Sequence, residues 1–147
     1  MEERRGTNRS AKLALFSCIL AIAVAVRIYV VVAFPPVTDV YYYDTQAAQL
    51  ILHGVSPYGH SFAGIPPSLA TPGAQDVFAY LPFTAIYFVP FYLLGDVRFG
   101  AIAADVIIGL CLFQFQKRWS MVAAAIFLLI PFSTYYMNDA LPAVALV

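Results

Sequence analysis

The stretch Leu13–Phe34, LALFSCILAIAVAVRIYVVVAF, holds one charged residue, Arg27, in 22 positions. A helix needs about 20 mostly apolar residues to cross the hydrocarbon core of a bilayer. A secretory signal has a shorter apolar region, roughly 7–15 residues, before a small-residue cleavage site. This run instead ends in Phe34, Pro35 and Pro36. It reads as an anchor helix and not as a cleaved signal. Arg4, Arg5, Arg9 and Lys12 precede it, and no lysine or arginine lies between Arg27 and Arg98. Basic residues gather on the cytoplasmic side of membrane proteins. Residues 1–12 therefore read as a cytoplasmic N-terminus, and the chain from Pro35 as emerging on the outer face.

The rest of the composition agrees. The 147 residues are 62% hydrophobic and only 11% charged, with a mean hydropathy of +0.79. A water-exposed surface ordinarily keeps roughly a quarter of the residues charged. The fold class expected is an all-α integral membrane protein, a multi-span helix bundle in the cell membrane with the lipid bilayer as its first partner. Net charge is zero, and no basic patch points to nucleic acid. Glycine-rich phosphate loops and nucleophile elbows are absent from the sequence. Cys18 and Cys111 sit inside apolar runs and read as small buried hydrophobes.

Residues 35–79 read as an outer loop, broken by Pro35-Pro36, Gly54, Pro57, Gly59, Gly64, Pro66-Pro67 and Pro72-Gly73. Within it, Val40, Tyr43, Ala47, Leu50 and Ile51 recur at spacings of three and four, with Asp44, Thr45, Gln46 and Gln49 mostly opposite. This predicts an amphipathic helix ended by Gly54 and lying along the membrane interface.

Residues 80–147 read as further transmembrane helices: Leu81–Leu94, short and interrupted by Pro90, then Gly100–Phe115 and Trp119–Tyr136. The terminal ALPAVALV looks like the start of a fifth span, and the chain is expected to be the N-terminal part of a longer protein. Four crossings are expected. They carry a conflict, because Arg98 then falls inside and Lys117-Arg118 outside, against the positive-inside tendency; either Leu81–Leu94 does not fully cross, or the rule fails for one short turn.

Asp39 comes five residues after the first span, at headgroup level. A carboxylate there suits general-base attack by a hydroxyl on a lipid-anchored partner, a contribution of roughly 10²–10⁴-fold. It equally suits a cap for the helix beginning near Val40. Asp44 fits a second acid, a metal ligand or simply the wet face, and the wet face is favoured. Tyr41, Tyr42, Tyr43, Tyr58 and Tyr80 suit interface anchoring, and equally suit stacking on a sugar or bonding phosphate oxygens, with anchoring favoured. His53 and His60 read as solvated loop residues. Within the spans, Arg27 and Asp105 are functional candidates by their depth; they pair with each other, or Arg27 holds a lipid phosphate or snorkels to the headgroups. Asn138 and Asp139 form a further polar pair or an inter-helix turn.

Three stretches carry a family resemblance: PPVTDVYYYDTQAAQLILHGVSPYG (35–59), FAYLPFTAIYFVPFYLLGDVRFG (78–100) and PFSTYYMNDALPAVALV (131–147). An acid soon after the first span, a tyrosine-bearing helix, and a glycine with a Pro-Tyr pair resemble the membrane mannosyltransferase branches of the polytopic C-superfamily glycosyltransferases. So do the Tyr-x-Pro entry at Tyr80 and the Gly-Asp-x-Arg turn at Gly95. The resemblance implies transfer of a sugar from a polyprenyl-phosphate-linked donor to an acceptor hydroxyl on the outer face. It carries the catalytic-base role to Asp39 alone. Beside that base, Arg27 or Arg98 is expected to neutralise the donor phosphate, and Asp44 and Tyr58 to be further substrate contacts. Val40 follows Asp39 where some members carry an Asp-Glu pair, so a divalent metal is left open.

Overall fold

The computed structural model describes residues 2–36, 38–69, 78–114 and 119–130, with side chains from residue 10 onward. Among them are five helices and no strand: α1 (Glu2–Ala33), α2 (Asp39–Leu52), α3 (Pro82–Leu93), α4 (Arg98–Gln114) and α5 (Ser120–Leu129). The all-helical expectation holds. Within α1, Ser10–Ala33 is the one stretch among the described residues long and apolar enough to cross a membrane. Lys117-Arg118, Asn138-Asp139, residues 131–136 of the Trp119–Tyr136 segment and the fifth apolar run lie outside the described residues.

Helices α1, α4 and α5 form a three-helix bundle. Each turns one stripe inward: Phe16, Ala23, Arg27 and Val30 on α1, Arg98, Ile102, Asp105 and Gly109 on α4, Ala124 and Leu128 on α5. The spacings of three, four and seven keep each stripe on one helix face. Phe16 stacks on Phe113 with ring centroids 4.1 Å apart, Arg27 meets Asp105, and Val31 meets Arg98. Positions rising along α1 thus pair with positions falling along α4, so the two run antiparallel. Phe16 and Ala23 also pack with Ala124 and Leu128, and α5 runs with α1. Gly109 lets α5 approach closely, since a Cβ there would stand 2.7 Å from Leu128 Cδ2.

Cys18 and Cys111 are exposed, which corrects the expectation that they are buried. Both lie off the inward stripes. Apolar sequence all round a helix does not reveal which side meets a neighbour.

Helices α2 and α3 form a separate layer. Tyr43 and Ala47 pack with Phe62, Ile65, Phe78 and Ala85, while Ala48 packs with Phe88 and Val97. Both helices end in the same way. Gly54 (φ +70°) and Gly95 (φ +102°) adopt the left-handed conformation that glycine tolerates without steric cost. The following amides of Val55 and Asp96 then reach back to Leu50 and Phe91 carbonyls. This double closure satisfies carbonyls that a helix end leaves unpaired.

Here the structure departs from the four-crossing expectation. With 12 residues, α3 is about 18 Å long against the roughly 30 Å of a hydrocarbon core. It lies on α2 and meets α4 through Tyr87, Phe88 and Phe91 at Gly100. Arg98, directly after it, contacts the carbonyls of Val31 and Phe34. The chain therefore enters α4 at the same end of the bundle where it left α1.

Candidate functional site

Asp39 opens α2. Thr38 before it is extended (φ −114°, ψ 148°) and makes no side-chain cap, while Asp39 is the acid in the first turn. Its Oδ1 accepts the Val40 N–H at 2.8 Å. A negative charge at this end suits the positive pole of the helix, so the capping alternative has a bond behind it. Asp39 is also partly exposed, which leaves a carboxylate within reach of a ligand just beyond the end of α1.

Asp44 differs from its expected place. It is only 2% exposed, not on the wet face. On α2 it falls between Val40 and Tyr41 one turn back and Ala48 one turn on, the residues packed with Tyr87, Phe88, Phe91 and Val97. Its Oδ1 has no hydrogen-bond partner. Removal from water disfavours the charged form and pushes this carboxyl up to about 7. The acid ordinarily found ionised at neutral pH is here poised to hold its proton. Period alone assigned it to the polar side because the helix is buried on two faces, one against the loop cluster and one against α3.

The two candidate arginines are engaged inside the fold. Arg27, 2% exposed, donates from Nε to Asp105 Oδ2 at 2.9 Å. Its Nη1 donates to the carbonyls of Ala23 and Leu128, and Nη2 to that of Ile130. The pairing alternative is the one observed, and snorkelling is not. Arg27 thereby also ties down the last turn of α5.

Arg98, 5% exposed, is held by Asp96, whose carboxylate takes bonds from Nε and Nη2. Asp96 Oδ1 also accepts the Arg98 backbone N–H at 2.8 Å, and so caps α4. The guanidinium then donates to Phe34 O at 2.9 Å and Val31 O at 2.7 Å. A cation at the negative end of α1 gains from the helix dipole. The Tyr41 ring covers it, 5.5 Å from centroid to Cζ. Burial, with Asp96 second, holds the Tyr41 phenol above its ordinary pKa. From the sequence Asp96 was read only as part of the Gly-Asp-x-Arg turn and given no role, although an acid two residues before Arg98 is a readable cap signal.

Tyr58 donates its hydroxyl to Tyr80 O at 2.6 Å and sets its ring against Phe78, 5.6 Å between centroids. It closes the loop onto the entry to α3. His53 and His60 are exposed, and His53 Nδ1 lies 2.8 Å from Gln49 O. Among the described residues, no three His, Cys, Asp or Glu side chains gather in a way that would hold a metal ion. The structure thus joins Arg98, Asp96, Tyr41 and the end of α1 in one place, and Arg27 with Asp105 in another. No family model, curated protein or solved structure matches the chain.

Proposed function

We propose that this chain is a multi-span protein of the cell membrane and belongs to a glycosyltransferase that works on the outer face. The donor is a polyprenyl-phosphate-linked sugar, the acceptor a hydroxyl, and Asp39 the base that takes its proton. The observation that carries this reading is the position of Asp39: a partly exposed carboxylate at the start of α2, a few residues beyond the end of a membrane-length helix. Donor and acceptor would meet at headgroup level, where the lipid phosphate lies. Arg98 and Arg27 act in this reading as framework: each already holds carbonyls and a carboxylate. Their cost of burial is offset by those partners.

A second reading, a non-catalytic transporter or assembly subunit, draws on the Arg27–Asp105 pair. Buried charges within membrane spans are expensive and usually functional. In that reading the pair is the working part, Asp39 is a helix cap, and the tyrosines are interface anchors.

Asp39→Asn separates the two. The amide keeps the side-chain shape and an oxygen for Val40 N–H but loses the base. In membranes containing equal amounts of folded protein, transfer of labelled sugar from the lipid-linked pool should fall by roughly 10²–10⁴-fold. Transfer that only tracks the amount of folded protein removes the catalytic role from Asp39 and favours the second reading.

A further inference from the structure

The outward face of α3 consists of Phe83, Ile86, Pro90 and Leu93, flanked by Leu81 and Leu94, and all six are exposed. No charged residue occurs from Ala79 to Gly95. We propose that α3 is a non-crossing membrane helix: its apolar face is sunk into the outer leaflet, and the turn that follows it is tied through Asp96 and Arg98 to the outer end of α1. This rests on the membrane reading above and names the surface by which the outer layer grips lipid.

Four observations set the depth and choose lipid as the occupant. The Ser10–Ala33 stretch has the length of one crossing, and Arg98 bonds the carbonyls of Val31 and Phe34 at its end. The turn from α3 to α4 therefore sits at the membrane surface. Next, the two helices of the layer differ in what they expose: Gln49 and Leu52 of α2 and its C-cap His53 are exposed, while the exposed face of α3 is wholly apolar. Such a layer lies flat at an interface.

The third observation is Pro90 inside α3. It has no N–H for the carbonyl of Ile86, four residues back. A carbonyl that loses its helical donor is more readily satisfied where water reaches it than in the hydrocarbon centre. Tyr80, Tyr87 and Tyr92 along the same segment suit that depth as well.

The fourth is charge. With α3 not crossing, α4 starts on the outer side and runs antiparallel to α1, so that Phe113 near its end stacks on Phe16, in the half of the Ser10–Ala33 stretch away from the outer face. Arg98 is then on the outer side with its charge paired to Asp96, so it does not oppose the positive-inside tendency.

The test uses the full chain in sealed vesicles with Cys18→Ser and Cys111→Ser, since both native thiols are exposed. Single cysteines are placed as His60→Cys for the outer loop, Lys12→Cys for the opposite side, and Leu94→Cys for the end of α3. A membrane-impermeant maleimide should label Leu94→Cys from the same side as His60→Cys and from the opposite side to Lys12→Cys. Labelling together with Lys12→Cys means that α3 crosses and overturns the proposal. Labelling only after detergent overturns the surface placement. Spin labels at Phe83→Cys and Ile86→Cys should be relaxed by oxygen and shielded from a water-soluble nickel chelate. Relaxation by the chelate to the level seen at His60→Cys puts that face in water, and shielding from both reagents puts it against protein; either overturns the lipid contact. If alkaline carbonate releases the chain from membranes, the membrane reading itself fails, independently of where α3 lies.

Discussion

At the scale of single residues, Asp44 is the side chain with most to say. A carboxyl whose pKa is raised on folding binds its proton more tightly in the folded state. Its contribution to stability is therefore fully present below the unfolded value of 3.8 and is lost as pH rises towards about 7. A rise of that size is equivalent to at most about 4 kcal/mol between the two protonation states. Thermal unfolding in detergent should show wild type losing stability between about pH 4 and pH 7, and Asp44→Asn losing markedly less. Parallel pH slopes for the two proteins would mean that Asp44 is hydrated and not buried. Asp39 offers a contrast within the same helix: it is bonded to Val40 N–H and partly exposed to water. Two acids five residues apart thus have different environments, and only the packing of α2 against α3 separates them.

At the scale of elements, close approach between helices is the sensitive variable. Gly109 faces Leu128, and an added Cβ would come within 3.0 Å of three of its side-chain carbons. Leu128 is 1% exposed, so its side chain has little room to give. Gly109→Ala should therefore cost about 1–3 kcal/mol. Leu128→Ala will be destabilising alone through its cavity. The double variant should be more stable than the sum of the two single losses implies. A double-mutant cycle by thermal unfolding checks this, and strict additivity would show that the two positions do not touch. Helix termination, by contrast, is readable locally: Gly54 and Gly95 each close a helix through a left-handed residue, and both glycines stand out in the sequence.

At the scale of the whole molecule, two arginines hold the helices in register. Arg27 joins α1 to α4 through Asp105 and to α5 through the carbonyls of Leu128 and Ile130. Removing one member of a buried pair leaves an uncompensated charge, a loss of about 3–5 kcal/mol. Arg27→Leu and Asp105→Leu should each destabilise the protein by that order. The double replacement should recover much of the loss from the single variants, although Leu128 and Ile130 then lose a donor. Unfolding midpoints in detergent for the three variants check this. A double variant as damaged as the worse single one would show that the carbonyl contacts of Arg27, and not the ion pair, carry the stability.

The helical class, the membrane-length first helix, the α2 periodicity and the stop at Gly54 were all determined by the sequence itself. Each depends on residues close together along the chain: apolar run length, spacing of three and four, and the conformational freedom of glycine. Asp39 was legible for the same reason, as an acid at a helix start. The tertiary structure alone decided that Asp44 is buried, that Cys18 and Cys111 face outward, that Arg27 meets Asp105, and that Arg98 returns to the end of α1. These outcomes depend on which face of each helix finds a neighbour. In a chain that is apolar nearly all round, that choice is made by long-range ion pairs and small-residue contacts across dozens of residues, and local pattern does not encode it.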